Sequence, residues 1–122
     1  MDIDSEIDLN RYKLDRERDI LLSGQNGADA ALRKYNLDAL VFLGSRGSRF
    51  LAKAGYPSIT VPFSLVKNQS GDVNAYPDNF EPERAPLGVT FAGTACSEPE
   101  LISISYAFEQ ASMRRRPPAN FE

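Results

Sequence analysis

"DALVFLGSRGSRFLAKAGYPSITVPFSL", residues 38–65, decides how this chain folds. It opens on an unbroken apolar run, 38–43, with β-branched and aromatic members. That pattern predicts a strand covered on both faces, as in a mainly parallel sheet. It closes on 58–65, where Ile59, Val61, Phe63 and Leu65 alternate with Ser58, Thr60, Pro62 and Ser64, giving one apolar face. Between the two, 48–55 reads as a short helix ended by Gly55, enough chain for a right-handed parallel crossover. Pro62 lacks an amide hydrogen and marks an edge, a bulge or a strand end.

Toward the N-terminus, 5–22 reads as an exposed amphipathic helix. Ile7, Leu14, Leu21 and Leu22 form its thin apolar stripe, and "SGQNG" ends it. So narrow a stripe needs something to lie against. A second short helix covers 27–36, with Ala28, Ala31, Leu32 and Tyr35 on one side and Asn36 closing it in a left-handed turn. Toward the C-terminus, 66–86 is polar and rich in Pro, Asn and Asp, a mobile surface loop. Residues 87–93 predict a strand returning antiparallel beside 58–65. The last helix is the best signalled. Ser97 and Glu100 fit a capping box, Leu101, Ile104, Phe108 and Ala111 recur at helical spacing, and Pro117 and Pro118 stop it after a run of arginines.

The totals narrow the function. At 122 residues, 42% hydrophobic and 25% charged, the chain suits one soluble domain. A net charge of −3 argues against a nucleic-acid binder. With no histidine and Cys96 as the single cysteine, the usual zinc sites, a serine–histidine–acid triad and an internal disulfide are excluded, and a reducing cytoplasm fits. The start, "MDIDSEIDLNRYK", is acidic and does not read as a signal peptide, and no apolar run approaches the ~20 residues that span a bilayer. The glycosylation triplet at 68–70, "NQS", is discounted on the same ground.

"LGSRGSRF", 43–50, could cradle a phosphate or present a nucleophilic serine. It matches neither phosphate-loop pattern, nor G-x-S-x-G. Ser45 and Ser48 have no histidine base, and Lys53 lies about 140° round a helix from Ser48. Arg46 and Arg49 add charge beside a short helix; a structural turn is the expectation. "SLVK", 64–67, matches S-x-x-K but falls at a strand end rather than on the helix that pattern needs. Cys96, just before a helix, reads as a buried structural thiol. Glu98 and Glu100 serve the helix start, and Arg114, Arg115 and Arg116 a solvated helix end.

Three spaced stretches, "LDALVFLGSRGSRFLAKAGYP", "AGYPSITVPF" and "PLGVTFAGTACSEPELISISYAFEQASMRRRPP", resemble in order the C-terminal end of amidase-signature enzymes, especially fungal members. The resemblance covers 28–118. It implies an α/β fold, a partial mixed β-sheet with flanking helices, whose remaining strands come from chain not present here. It implies hydrolysis of carboxylic amides by a serine nucleophile, a second serine in a cis peptide bond and a lysine base. In the family the serines lie in or near a "GGSSGG" signature, and all three groups precede the matched region. This sequence has no such signature, and Leu43 stands where the family often has proline. The resulting expectation is a chain with no catalytic, cofactor or metal residue, inactive alone, or else an incomplete gene product. As partners it would take a second copy or a complementing amidase segment, and no nucleic acid, membrane or metal. Its parts are an exposed helix and linker, 1–26, an amidase-signature segment, 27–118, and a tail, 119–122.

Overall fold

The computed structural model describes residues 6–67 and 84–115. Helix α1, Glu6–Asp19, runs into a π-helical stretch, Ile20–Ala28, and then α2, Asp29–Tyr35. Strand β1, Leu40–Leu43, helix α3, Arg46–Ala54, strands β2, Ser58–Lys67, and β3, Arg84–Ala92, and helix α4, Glu98–Ser112, follow. "SGQNG" does not end the first helix as expected: winding widens to π geometry and carries on. Gly24 and Gly27 let neighbouring side chains pack against this stretch: a Cβ at Gly24 would meet the Tyr56 hydroxyl at 2.8 Å and one at Gly27 the Phe50 ring at 2.6 Å. The 66–86 loop is shorter than predicted, since β2 and β3 run into it; 68–83 lies outside the described residues.

The sheet order is β1-β3-β2, and both pairings are antiparallel. The antiparallel return of β3 along β2 is as predicted, but the parallel neighbour pair is not. β1 and β2 do run in the same direction, yet β3 sits between them. A bulge between Pro62 and Ser64 answers the missing Pro62 amide. It also breaks the expected alternation, and Leu65 ends up exposed.

Each face of the sheet carries its own core. Alternation puts Val89 and Phe91 of β3 and Ile59 and Val61 of β2 on one face, where α4 covers them with Leu101, Ile104 and Phe108. Phe108 meets Phe91 edge-on at 5.4 Å and Phe63 at 6.2 Å between ring centroids. On the other face Ala92, Leu40 and Phe42 pack with Leu51 of α3 and Ala28. The prediction of a β1 covered on both sides fails: Val41 is 61% and Leu43 57% exposed.

Local backbone chemistry sets the helix ends. Gly55, at φ 78°, and Asn36, at φ 49°, adopt the left-handed turns expected of them. At each, the next amide reaches back, Tyr56 to the Leu51 carbonyl at 3.0 Å and Leu37 to the Leu32 carbonyl at 2.9 Å. The stripe of α1 stays largely bare; Ile7 and Leu14 are exposed. Ion pairs Arg11–Asp15, at 3.9 Å, and Arg18–Asp15, at 3.5 Å, lie along its surface and are worth little in water.

One buried side chain ties the strands. Thr90 is fully buried in the central strand. Its hydroxyl donates to the Gly44 carbonyl at 2.6 Å and lies 2.7 Å from the Thr60 hydroxyl. Having one proton, Thr90 gives it to Gly44, so Thr60 donates in the second bond.

Candidate functional site

The glycine-serine turn after β1 lies over an open depression of about 510 Å³ lined by Ser45, Arg46, Ser48, Arg49 and Ala52. Several of its components are engaged in packing and main-chain bonds. Gly44, at φ 67°, donates its amide to the Gly88 carbonyl at 2.7 Å, locking the turn to β3. Gly47 is buried against the Phe42 ring, leaving no room for a side chain. Ser45 stands at the start of α3 without a side-chain cap, and Ser48 donates its hydroxyl to the Ser45 carbonyl at 2.6 Å. Lys53 pairs with Asp19 at 3.5 Å, so the lysine next in line points to α1 rather than to a serine.

Other singled-out residues fare differently. Ser64 and Lys67 lie in the extended strand β2, not on the helix S-x-x-K needs. Cys96 is exposed, not buried, and sits at φ 63° in the turn before α4. That turn also undoes the predicted capping box: Ser97 donates its hydroxyl to the Thr94 carbonyl at 2.7 Å instead of accepting from the helix. Glu98 and Glu100 stay in the first turn of α4, where their charge suits the helix dipole. Arg115 folds back on Glu109 at 3.6 Å, and the helix stops at Met113 in a left-handed turn, φ 48°. Arg116 and the two prolines lie outside the described residues.

A polar cluster escaped the sequence reading. Asp29, at the start of α2, accepts from the Tyr56 hydroxyl at 2.7 Å on one carboxylate oxygen and from the Thr94 hydroxyl at 2.7 Å on the other. Three chain segments meet there: the helix start, the approach to β2 and the exit of β3. The bond to Asp29 holds the Tyr56 pKa above its usual 10.0, aided by burial and by the carboxylate charge. Both carboxylate oxygens are engaged, so the cluster acts as a clasp rather than as a free base.

This clasp carries a pH prediction. Raising the tyrosine pKa on folding gives stability that is full below about pH 10 and is lost as pH climbs through the folded value. Tyr56→Phe is expected to lower stability by about 1 kcal/mol at pH 8, the worth of one such bond. The difference from the parent should shrink in melts at pH 10.5 and above; a gap that widens there rules the clasp out.

Ser48, Ser97 and Ser112 each donate to main-chain carbonyls. Among the described residues no three His, Cys, Asp or Glu side chains gather in a metal-binding group. No described helix is long and apolar enough to cross a membrane.

No protein-family model matches the chain. A protein of Arabidopsis thaliana that carries an amidase name is 42% identical over 94 residues, 77% of this chain and 15% of that protein. An amidase-named protein of Arthroderma benhamiae is 30% identical over 99 residues, 81% of this chain and 17% of its own length. The similarity is thus not confined to fungal proteins. Among solved structures, native peptide amidase from Stenotrophomonas maltophilia superposes with a TM-score of 0.67 at 34% identity, over 88% of this chain and 21% of its own. The peptide amidase PAM, in complex with the competitive inhibitor chymostatin, gives 0.63 at 36% identity, over 84% and 21%. The chain spans 15% to 17% of the length of the curated relatives it matches.

Proposed function

Since the chain belongs, as a segment, to the amidase-signature family, we propose that it forms part of the framework of an amide hydrolase and carries none of the groups that cleave the bond. One observation carries this reading. In the serine-rich turn at 43–50, Ser48 donates to the Ser45 carbonyl and Gly47 packs on Phe42, while Lys53 beside it is paired with Asp19. A serine nucleophile needs a base within hydrogen-bond reach, about 2.6–3.2 Å, and Lys53 is committed elsewhere. The sequence, moreover, has no "GGSSGG" stretch. Its single cysteine suits a reducing cytoplasm.

The test is direct. Purified chain incubated with a simple aryl amide is expected to release product no faster than buffer does. Turnover that vanishes on replacing one serine, Ser45 or Ser48 first, overturns the reading.

A further inference from the structure

We propose that the π-helical stretch Ile20–Ala28 is a rotor with two settings: rewound to α geometry, it turns α1 about its own axis and exchanges the face that α1 holds against α3. This device is independent of the amidase reading. π-Winding mostly occurs as single-turn bulges, and nine consecutive residues of it are unusual. The ladder is closed five residues apart to its end, where the Asp29 amide donates to the Gly24 carbonyl. At Gly27 the Leu22 carbonyl, five residues back, comes so near that an added Cβ would sit 2.6 Å from its oxygen. Alanine, the best α-helix former, is thus shut out of the observed winding and favoured in the alternative.

The grip of α1 on α3 is polar. Arg16 donates to the Lys53 carbonyl in the last turn of α3, and a Cβ on Gly55 would lie 3.4 Å from its guanidinium, so the cation covers that helix end. Asp19 pairs with Lys53 at 3.5 Å. Exposed pairs of this kind hold weakly in water. Among the described residues, neither apolar core includes a side chain of α1. At about 100° per residue, Leu14 and Ile7 lie about 150–170° round the helix from the Arg16–Asp19 side. They are 67% and 80% exposed. A nine-residue stretch closed i→i+5 makes about half a turn less than one closed i→i+4. Rewinding therefore carries Leu14 to the side of α3 and turns Arg16 and Asp19 to solvent. One setting holds the charged face and shows the apolar one; the other does the reverse.

Distances between paired spin labels test the rotor in the full chain, with Cys96 replaced by serine. One label stands on α3 at Ala52. The other stands at Leu14, or at Tyr12, which the same spacing puts on the Arg16–Asp19 side of α1. Gly27→Ala is expected to shorten the 14–52 distance and to lengthen the 12–52 distance. Each should change by several Å, since a side chain crosses the width of a helix, about 10 Å. Lys53→Met removes the ion pair at an exposed position. It is expected to bring the same opposite changes, as a second distance in each pair, whether or not Gly27→Ala folds. Both distances lengthening together means that α1 undocks without turning, and overturns the rotor. So do parent distances in Lys53→Met, or in a Gly27→Ala chain that melts cooperatively.

Discussion

Leu101→Ala is expected to lower the unfolding free energy by about 2–5 kcal/mol, the range for a buried leucine that leaves a cavity. Leu101 is fully buried where α4 meets Val61, Val89 and Phe91. Nothing nearby can fill the space cheaply. The sheet below is fixed by its hydrogen bonds, and Phe108 is held between two other rings. Small domains have only about 5–15 kcal/mol to lose, so this is a large share of the total stability. Urea titration with the m-value free to vary measures it. The next residue, Ile102, is 58% exposed, and its alanine variant should stay within about 0.5 kcal/mol of the parent. Similar losses at 101 and 102 would mean that α4 does not dock on this face.

Gly47→Ala is the second large effect, and its sign is the informative part. Alanine in place of glycine inside a helix ordinarily gains up to about 1 kcal/mol. Here the new Cβ would drive into the Phe42 ring at Cδ2 and Cγ, atoms close to the ring's attachment, which cannot swing aside. Phe42 in turn packs against the core of Leu51, Ala28 and Ala92. A net loss of about 1–3 kcal/mol is expected, as for other overpacked cores. In a Phe42→Leu background the penalty should shrink, which a double-mutant cycle reads as coupling. A neutral or stabilised single variant would show that α3 does not press on β1 there.

Much of the fold was legible where backbone chemistry is local. Gly55 and Asn36 ended their helices as read because a left-handed turn depends on one residue and its neighbours. Pro62 announced an edge, a bulge or a strand end because it lacks a donor, and β2 is an edge strand with a bulge there. The strand order was not legible: placing β3 between β1 and β2 depends on pairings between distant residues, which no window of sequence contains. The burial of 38–43 was misread for a related reason. An apolar run states that a strand wants cover, not whether the cover belongs to the same chain.

The site followed the same division. That the turn at 43–50 matches neither a phosphate-loop nor a nucleophile-elbow pattern was legible from its spacings and from the missing histidine. The Asp29 clasp was not, because its partners lie 27 and 65 residues away and none stands in a motif. Cys96 was misplaced because its left-handed backbone, unusual for a residue with a side chain, is set by the turn into α4. That turn also drew Ser97 away from its expected capping bond.

Thr90 has a further consequence, for which alignment of the strands the chain can adopt. The strip of β1 and β3 is rich in interchangeable apolar residues, and apolar contacts tolerate sliding. A hydroxyl does not. With Phe42 and Thr60 both opposite Thr90, its proton reaches Gly44 and its lone pair meets Thr60. Sliding either neighbour by one residue turns every side chain of that strand to the other face and leaves a buried hydroxyl or carbonyl unpaired, about 1–3 kcal/mol each. The threonine therefore works as a lock-pin, penalising misaligned sheets more than it strengthens the right one.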